Sequence, residues 1–98
     1  MESAYEECLC HELALQGIEF QRQQPVPVVY KSRQLDCGFR IDLGVQNNLI
    51  IEVKAVAKLL PIHEAQLLTY MKLTGINTGL LINFNVRLLK TGIRRFVL

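Results

Sequence analysis

Apolar positions run through this chain in two rhythms. Across residues 3–16, Tyr5, Leu9 and Leu13 recur near helical spacing, and Gly17 is a natural C-terminal stop. Ser3 and Glu6 fit the S-x-x-E capping box at the start of that helix. Residues 18–30 read as extended, with Pro25 and Pro27 favouring an edge strand or a bulge over a central strand. Lys31-Ser32-Arg33 is a polar turn, and two strands follow near 35–44 and 48–55, joined by a short turn at 45–48. Lys58-Leu59-Leu60 leads into a second helix, with Pro61 in its first turn, Glu64 complementing the positive end of the dipole, and Gly75 as its stop. Residues 79–84 form a continuous apolar run, as for a strand buried on both faces, and residues 92–98 alternate as a short last strand. The order is α-β-β-β-α-β-β. The helix between the third and fourth strands makes a crossover, so that pair is expected to be parallel within a mixed sheet flanked by helices.

Length and composition narrow the class. A chain of 98 residues, half of them hydrophobic, supports one domain over 1–98 with a substantial core and no disorder. No apolar run approaches the roughly 18 residues that cross a bilayer, and the polar start Met1-Glu2-Ser3 is unlike a secretory signal, so no membrane partner and a cytoplasmic location are expected. Three cysteines without a C-x-x-C pair (Cys8, Cys10, Cys37) read as reduced core or boundary residues. Charge changes the picture more. Residues 1–64 carry nine acids and six bases, net −3, whereas residues 65–98 carry no acid and five bases: Lys72, Arg87, Lys90, Arg94 and Arg95. That asymmetry suits a phosphate-binding surface beside an acidic site, and equally a solvated basic edge.

The candidate chemistry lies in the middle strands. Side chains alternate on a strand, so Glu52 and Lys54 share a face, and a hairpin through the Asn47-Asn48 turn brings Asp42 alongside them. Two carboxylates and an amine on an apolar sheet need a reason, because ionised groups are costly to bury unless paired or metal-bound. Carboxylate oxygens suit Mg²⁺ or Mn²⁺, and a lysine beside them suits charge on phosphate. The bland alternative is an exposed ion pair at i, i+2. On the second helix Gln66 and Tyr70 lie four apart on one face, and His63 precedes Gln66 by three. This polar stripe either lines a site or faces solvent. Glu6 either serves the capping box or projects from the first helix as a further metal ligand, with Glu2 and Glu7 as rivals.

With these residues in hand, the order helix-Glu, strand-Asp, strand-Glu-x-Lys resembles the PD-(D/E)XK nuclease superfamily. More closely, the chain is similar to the bacterial GxxExxR proteins. The similarity runs through residues 2–7, 35–42 (Leu35-Asp36-Cys37-Gly38-Phe39-Arg40-Ile41-Asp42), 51–56 (Ile51-Glu52-Val53-Lys54-Ala55-Val56), 60–70 and 79–85. It implies a restriction-endonuclease-like α/β core. It further implies Asp42 and Glu52 as ligands of the divalent metal, Lys54 as the residue orienting the attacking water and offsetting phosphate charge, and Gln66-x-x-x-Tyr70 as a substrate-binding pair of the RecB type. Glu6 stands eleven residues before Gly17, much as a helix glutamate precedes a glycine turn in archaeal Holliday-junction resolvases. Members usually begin earlier, with a further helix ahead of the region matching Glu2. Ile41 stands where a PD dipeptide has proline, and the literal string behind the GxxExxR label does not occur.

The function this implies is metal-dependent hydrolysis of DNA phosphodiesters. The alternative is a non-catalytic nucleic-acid- or protein-binding module that keeps the fold. The high apolar content for 98 residues also suggests a homodimer.

Overall fold

A computed structural model describes residues 1–98. Helix α1 (Glu2–Leu15) is followed by β1 (Phe20–Pro25), β2 (Val28–Tyr30), β3 (Arg33–Leu35), β4 (Arg40–Val45), β5 (Leu49–Lys54), α2 (Pro61–Thr74), β6 (Thr78–Asn83), a 3-10 turn (Leu89–Gly92) and β7 (Ile93–Val97). Five strands form a mixed sheet in the order β1-β4-β5-β6-β7, while β2 and β3 form a separate antiparallel hairpin. Strands β5 and β6 are parallel, joined by α2 as the crossover, and the other neighbours in the large sheet are antiparallel. This is the α/β architecture that the pattern predicted, with two more strands, and it is consistent with the restriction-endonuclease-like core that the resemblance implied. Residues 18–30 are not one extended element. Val26, between the two prolines, is buried and donates its N–H to the Phe39 carbonyl at 2.8 Å, closing the neck of a loop in which the chain then pairs with itself. Leu35 therefore belongs to the hairpin, and β4 begins only at Arg40.

The core lies in two layers, one on each face of the sheet. Ile41, Ile50, Leu81 and Leu59 pack with Leu67, Tyr70 and Met71 of α2. Leu43, Val45, Ile51, Val53 and Ile82 pack with Cys10 of α1, flanked by Tyr5, Leu9 and Leu13. Each fully buried Leu or Ile side chain contributes about 2 kcal/mol by removing apolar surface from water. Gly79 lets α2 approach closely: a Cβ there would lie 2.7 Å from Met71 Sδ and 2.9 Å from Leu67 Cδ1. Gly75 caps α2 at φ +74° and donates its N–H to Met71 O at 2.9 Å.

Two local expectations are corrected. The capping box at Ser3 and Glu6 does not form. Met1, not Ser3, is the N-cap and makes no side-chain bond, while the Glu6 carboxylate is taken by Arg22 and Gln23. Cys10 is buried, but Cys8 and Cys37 are exposed, the first on the outer face of α1 and the second in the turn ahead of β4. All three cysteines are free. No helix is long and apolar enough to cross a membrane.

Candidate active site

Strands β4 and β5 pair regularly through Val45–Leu49, Gly44–Ile50 and Leu43–Ile51. The next opposed pair is Asp42 and Glu52, and there the backbone ladder gives way to side chains. The Asp42 N–H donates to Glu52 Oε2 at 2.8 Å, and the Val53 N–H donates to Asp42 Oδ2 at 2.8 Å. Each carboxylate thus takes a backbone donor of the opposite strand, and the two acids sit at a fork in the sheet.

The other side of β4 is irregular at the same point. Strand β1 pairs with β4 on either side of Asp42, but Gln23, which faces it, has a left-handed φ of +52° and makes no strand pair. Residues two apart on a regular strand share a face, yet Ile41 packs in the α2 layer and Leu43 in the α1 layer. The alternation slips by one at Asp42. Its side chain consequently meets α1: Gln23 Nε2 lies 3.4 Å from Asp42 Oδ1 and 2.9 Å from Glu6 Oε1. A cavity of about 210 Å³ opens between Glu2, Ser3, Glu6, Gln23, Asp42 and Val53. Larger open hollows of about 430 and 630 Å³ meet at Asn47, at the turn end of β4–β5. They hold no acid cluster, so chemistry rather than size singles out the fork.

Burial dominates the electrostatics. Glu52 is only 3 % exposed, and desolvation, reinforced by the negative charge of Asp42, pushes its carboxyl up to about 8. The Asp42 amide and the Lys54 charge pull the other way and do not win. Asp42 is also raised by desolvation, against the lowering effect of the Val53 amide. Lys54 is half-buried at the end of β5 and forms no ion pair within 4 Å.

Glu6 is brought to this end of the sheet but is fully engaged. Its Oε2 accepts from Arg22 Nε at 2.6 Å, and its Oε1 accepts from Gln23. Hence no three carboxylate, imidazole or thiol side chains converge on one point. On α2, Gln66 Nε2 donates to Tyr70 Oη at 3.0 Å. The Tyr70 ring is buried against Phe39, its centroid 5.9 Å away, and desolvation raises its hydroxyl pKa, with the charges of Glu52 and Asp42 adding to the rise. His63 leaves the stripe, because its Nδ1 accepts the Leu60 N–H at 2.9 Å as a helix cap.

Arg22, Gln23 and Asn83 are the site-end residues that sequence reasoning missed. The run Gln21-Arg22-Gln23-Gln24 resembles any solvated edge strand. Asn83 did carry a signal, since an amide ending an apolar strand needs partners. It is 4 % exposed, donates to Val56 O at 2.9 Å and accepts from Val56 N at 3.0 Å, holding the segment that leaves β5 just beyond Lys54.

Every donor that Asp42 and Glu52 offer is a hard oxygen. Glu52 Oε1 receives no protein hydrogen bond, and Asp42 Oδ1 has only the long contact from Gln23. Such a set fits Mg²⁺ or Mn²⁺ and does not suit a soft metal. A sequence profile of the PD-(D/E)XK nuclease superfamily matches residues 1–96. The chain belongs to that superfamily. Neither the curated proteins nor the solved structures compared give a match. Membership in the PD-(D/E)XK superfamily points to a nuclease-type function.

Proposed function

We propose that this PD-(D/E)XK chain is a divalent-metal-dependent nuclease that hydrolyses DNA phosphodiesters, of the GxxExxR type. The observation that carries the reading is the fork at Asp42 and Glu52, two carboxylates exchanging backbone donors where the ladder opens. Asp42 and Glu52 hold the ion, which when bound supplies Lewis acidity toward phosphate and acidifies a water. Their raised pKa values fit this role. A buried carboxyl that resists ionisation alone becomes a ligand when a cation takes the place of lost solvent.

Lys54, on the same strand face as Glu52, orients the attacking water and offsets the charge that builds on phosphate. Gln66, exposed on α2 and bonded to Tyr70, orients the nucleic acid. Arg87, Lys90 and Arg95 supply exposed charge for its backbone, while Arg94 is shared with Glu64. A second copy of the chain is part of this reading, supported by exposed Leu88, Leu89, Ile93, Val97 and Leu98 around the edge strand β7. So is a cytoplasmic location.

The test is conversion of supercoiled plasmid in Mg²⁺ or Mn²⁺ by wild type, Asp42→Ala, Glu52→Ala and Lys54→Ala. Cleavage by wild type alone, with far-UV circular dichroism unchanged in the variants, is the expected result. Equal cleavage by wild type and both acid variants would reject catalysis at the fork.

A further inference from the structure

Glu6 and Asp42 border one cavity, and both oxygens of the Glu6 carboxylate are already taken by two residues of β1. Arg22 bridges Glu6 and its neighbour Glu7 at 2.6 and 2.8 Å, and its side chain remains 33 % exposed. Gln23 takes the other Glu6 oxygen at 2.9 Å. Consecutive residues of a regular strand point to opposite faces. Here the left-handed φ of Gln23 sends both side chains to the same helix carboxylate. That strained residue is the one facing Asp42, where β1 and β4 fail to pair. The irregularity therefore places a cation-like guanidinium and an amide on Glu6 at the point where Glu6 comes nearest the fork.

We propose that Arg22 is a positioning residue that withholds Glu6 from the divalent ion, leaving Asp42 and Glu52 to bind it, so that metal affinity is set by competition between the guanidinium and the ion for one buried carboxylate. This rests on the metal-centre reading above. The competition is physical: a carboxylate that is 8 % exposed must be paired, its partner in the chain is Arg22, and an ion bound at Asp42 would be the rival cation. Loss of Arg22 frees an oxygen of Glu6, which already borders the cavity, to join the donor set. The same competition ties the site to substrate, since a phosphate drawing on the exposed edge of Arg22 loosens its hold on Glu6.

The experiment is calorimetric titration of Mn²⁺ into the full chain, without nucleic acid, for wild type, Arg22→Gln, Glu6→Gln, the double variant and Asp42→Asn. Arg22→Gln is expected to tighten Mn²⁺ on the order of tenfold, and Glu6→Gln to change it by no more than about twofold. In the Glu6→Gln background the Arg22 substitution is expected to give no gain. A simple loss of positive charge near the site gives the same gain in both backgrounds, so the non-additivity is the signature. Arg22→Lys keeps the field and loses the two-carboxylate fork. It is expected to give an intermediate gain, again absent without Glu6, and it serves if Arg22→Gln does not fold by circular dichroism.

Equal gains in both backgrounds overturn the proposal, as does a Glu6→Gln loss as large as that of Asp42→Asn. If wild type binds no Mn²⁺, or Asp42→Asn binds it like wild type, the metal-centre reading itself falls and the role of Arg22 falls with it. Intact Asp42-dependent binding with no response to Arg22 removes only the positioning role.

Discussion

Two buried glutamates stand at one end of this sheet and are treated in opposite ways. Glu6, on α1, has a guanidinium at 2.6 Å and an amide at 2.9 Å, so its charge is matched within the chain. Glu52, on β5, has one backbone N–H and no cation within 4 Å, and burial pushes its carboxyl up to about 8. A carboxylate matched by its own protein is a fastening. One left unmatched beside a second carboxylate is a place for something that arrives from outside. The comparison sets the fork, as the proposed working site, against a helix acid whose charge is already matched within the chain.

The largest effect expected is from Glu52→Gln, which separates function from stability. Metal-dependent cleavage should fall by about a thousandfold or more, since one of the two proposed ion ligands is lost. The metal-free variant at pH 8 should nevertheless unfold at a higher temperature than wild type, because burying a neutral amide costs far less than burying an ionised carboxylate.

The pH dependence follows from the same group. Its folded pKa is raised from 4.5 to about 8, so between those values the folded state holds a proton that the unfolded chain releases. Stability from this group is full below pH 4.5 and is lost as pH rises toward 8, with a slope of at most about 1.4 kcal/mol per pH unit. Asp42, shifted in the same direction, adds to the trend. Thermal unfolding of metal-free wild type against Glu52→Gln should show the gap widening from pH 5 to 8. Added Mn²⁺ should close it, with a larger rise in melting temperature at pH 8 than at pH 6.

Glu6→Gln should do the reverse of Glu52→Gln. It removes the buried one of the two carboxylates that hold Arg22 and should lower the melting temperature by several degrees at pH 7. A variant as stable as wild type would show that the matched glutamate is not a fastening. Asn83→Ala, which strips both bonds from Val56, should cost about 2 kcal/mol in denaturant unfolding and loosen the segment next to Lys54.

What the chain made legible in advance was whatever depends on local period. Alternation holds through β5, where Ile50 packs in the α2 layer and Ile51 and Val53 in the α1 layer, so the shared face of Glu52 and Lys54 followed from spacing. The stop at Gly75 and the twice-buried strand 79–84 followed in the same way. The family resemblance was also carried by short local motifs, and the profile match over 1–96 bears out its superfamily level. What was hidden depends on contacts between distant residues. The Glu6–Arg22 pair joins positions 16 apart on a helix and a strand, and no spacing rule anticipates it. The slip in alternation at Asp42 lies opposite a left-handed glutamine on β1, a residue type that rarely signals such a conformation. The hairpin 28–35 was masked because Pro25 and Pro27 suit an irregular edge strand as well as the neck of a loop.

Tyr70 offers the smallest and finest test, because it belongs to both halves of the comparison. Its ring is core, buried in the α2 layer and tilted on Phe39, while its hydroxyl accepts from Gln66 and senses the charges of Glu52 and Asp42. Tyr70→Phe keeps the ring and removes only the oxygen, so unfolding in urea should register a loss of about 1 kcal/mol, the net worth of one hydrogen bond. If Gln66 and Tyr70 do no more than complete the packing, plasmid cleavage at saturating Mn²⁺ should be unchanged. If the pair orients the nucleic acid, the freed Gln66 amide should raise the DNA concentration needed for half-maximal rate several-fold while the maximal rate holds. An unchanged rate at every DNA concentration would return this pair to the frame and leave Asp42, Glu52 and Lys54 as the whole of the working site.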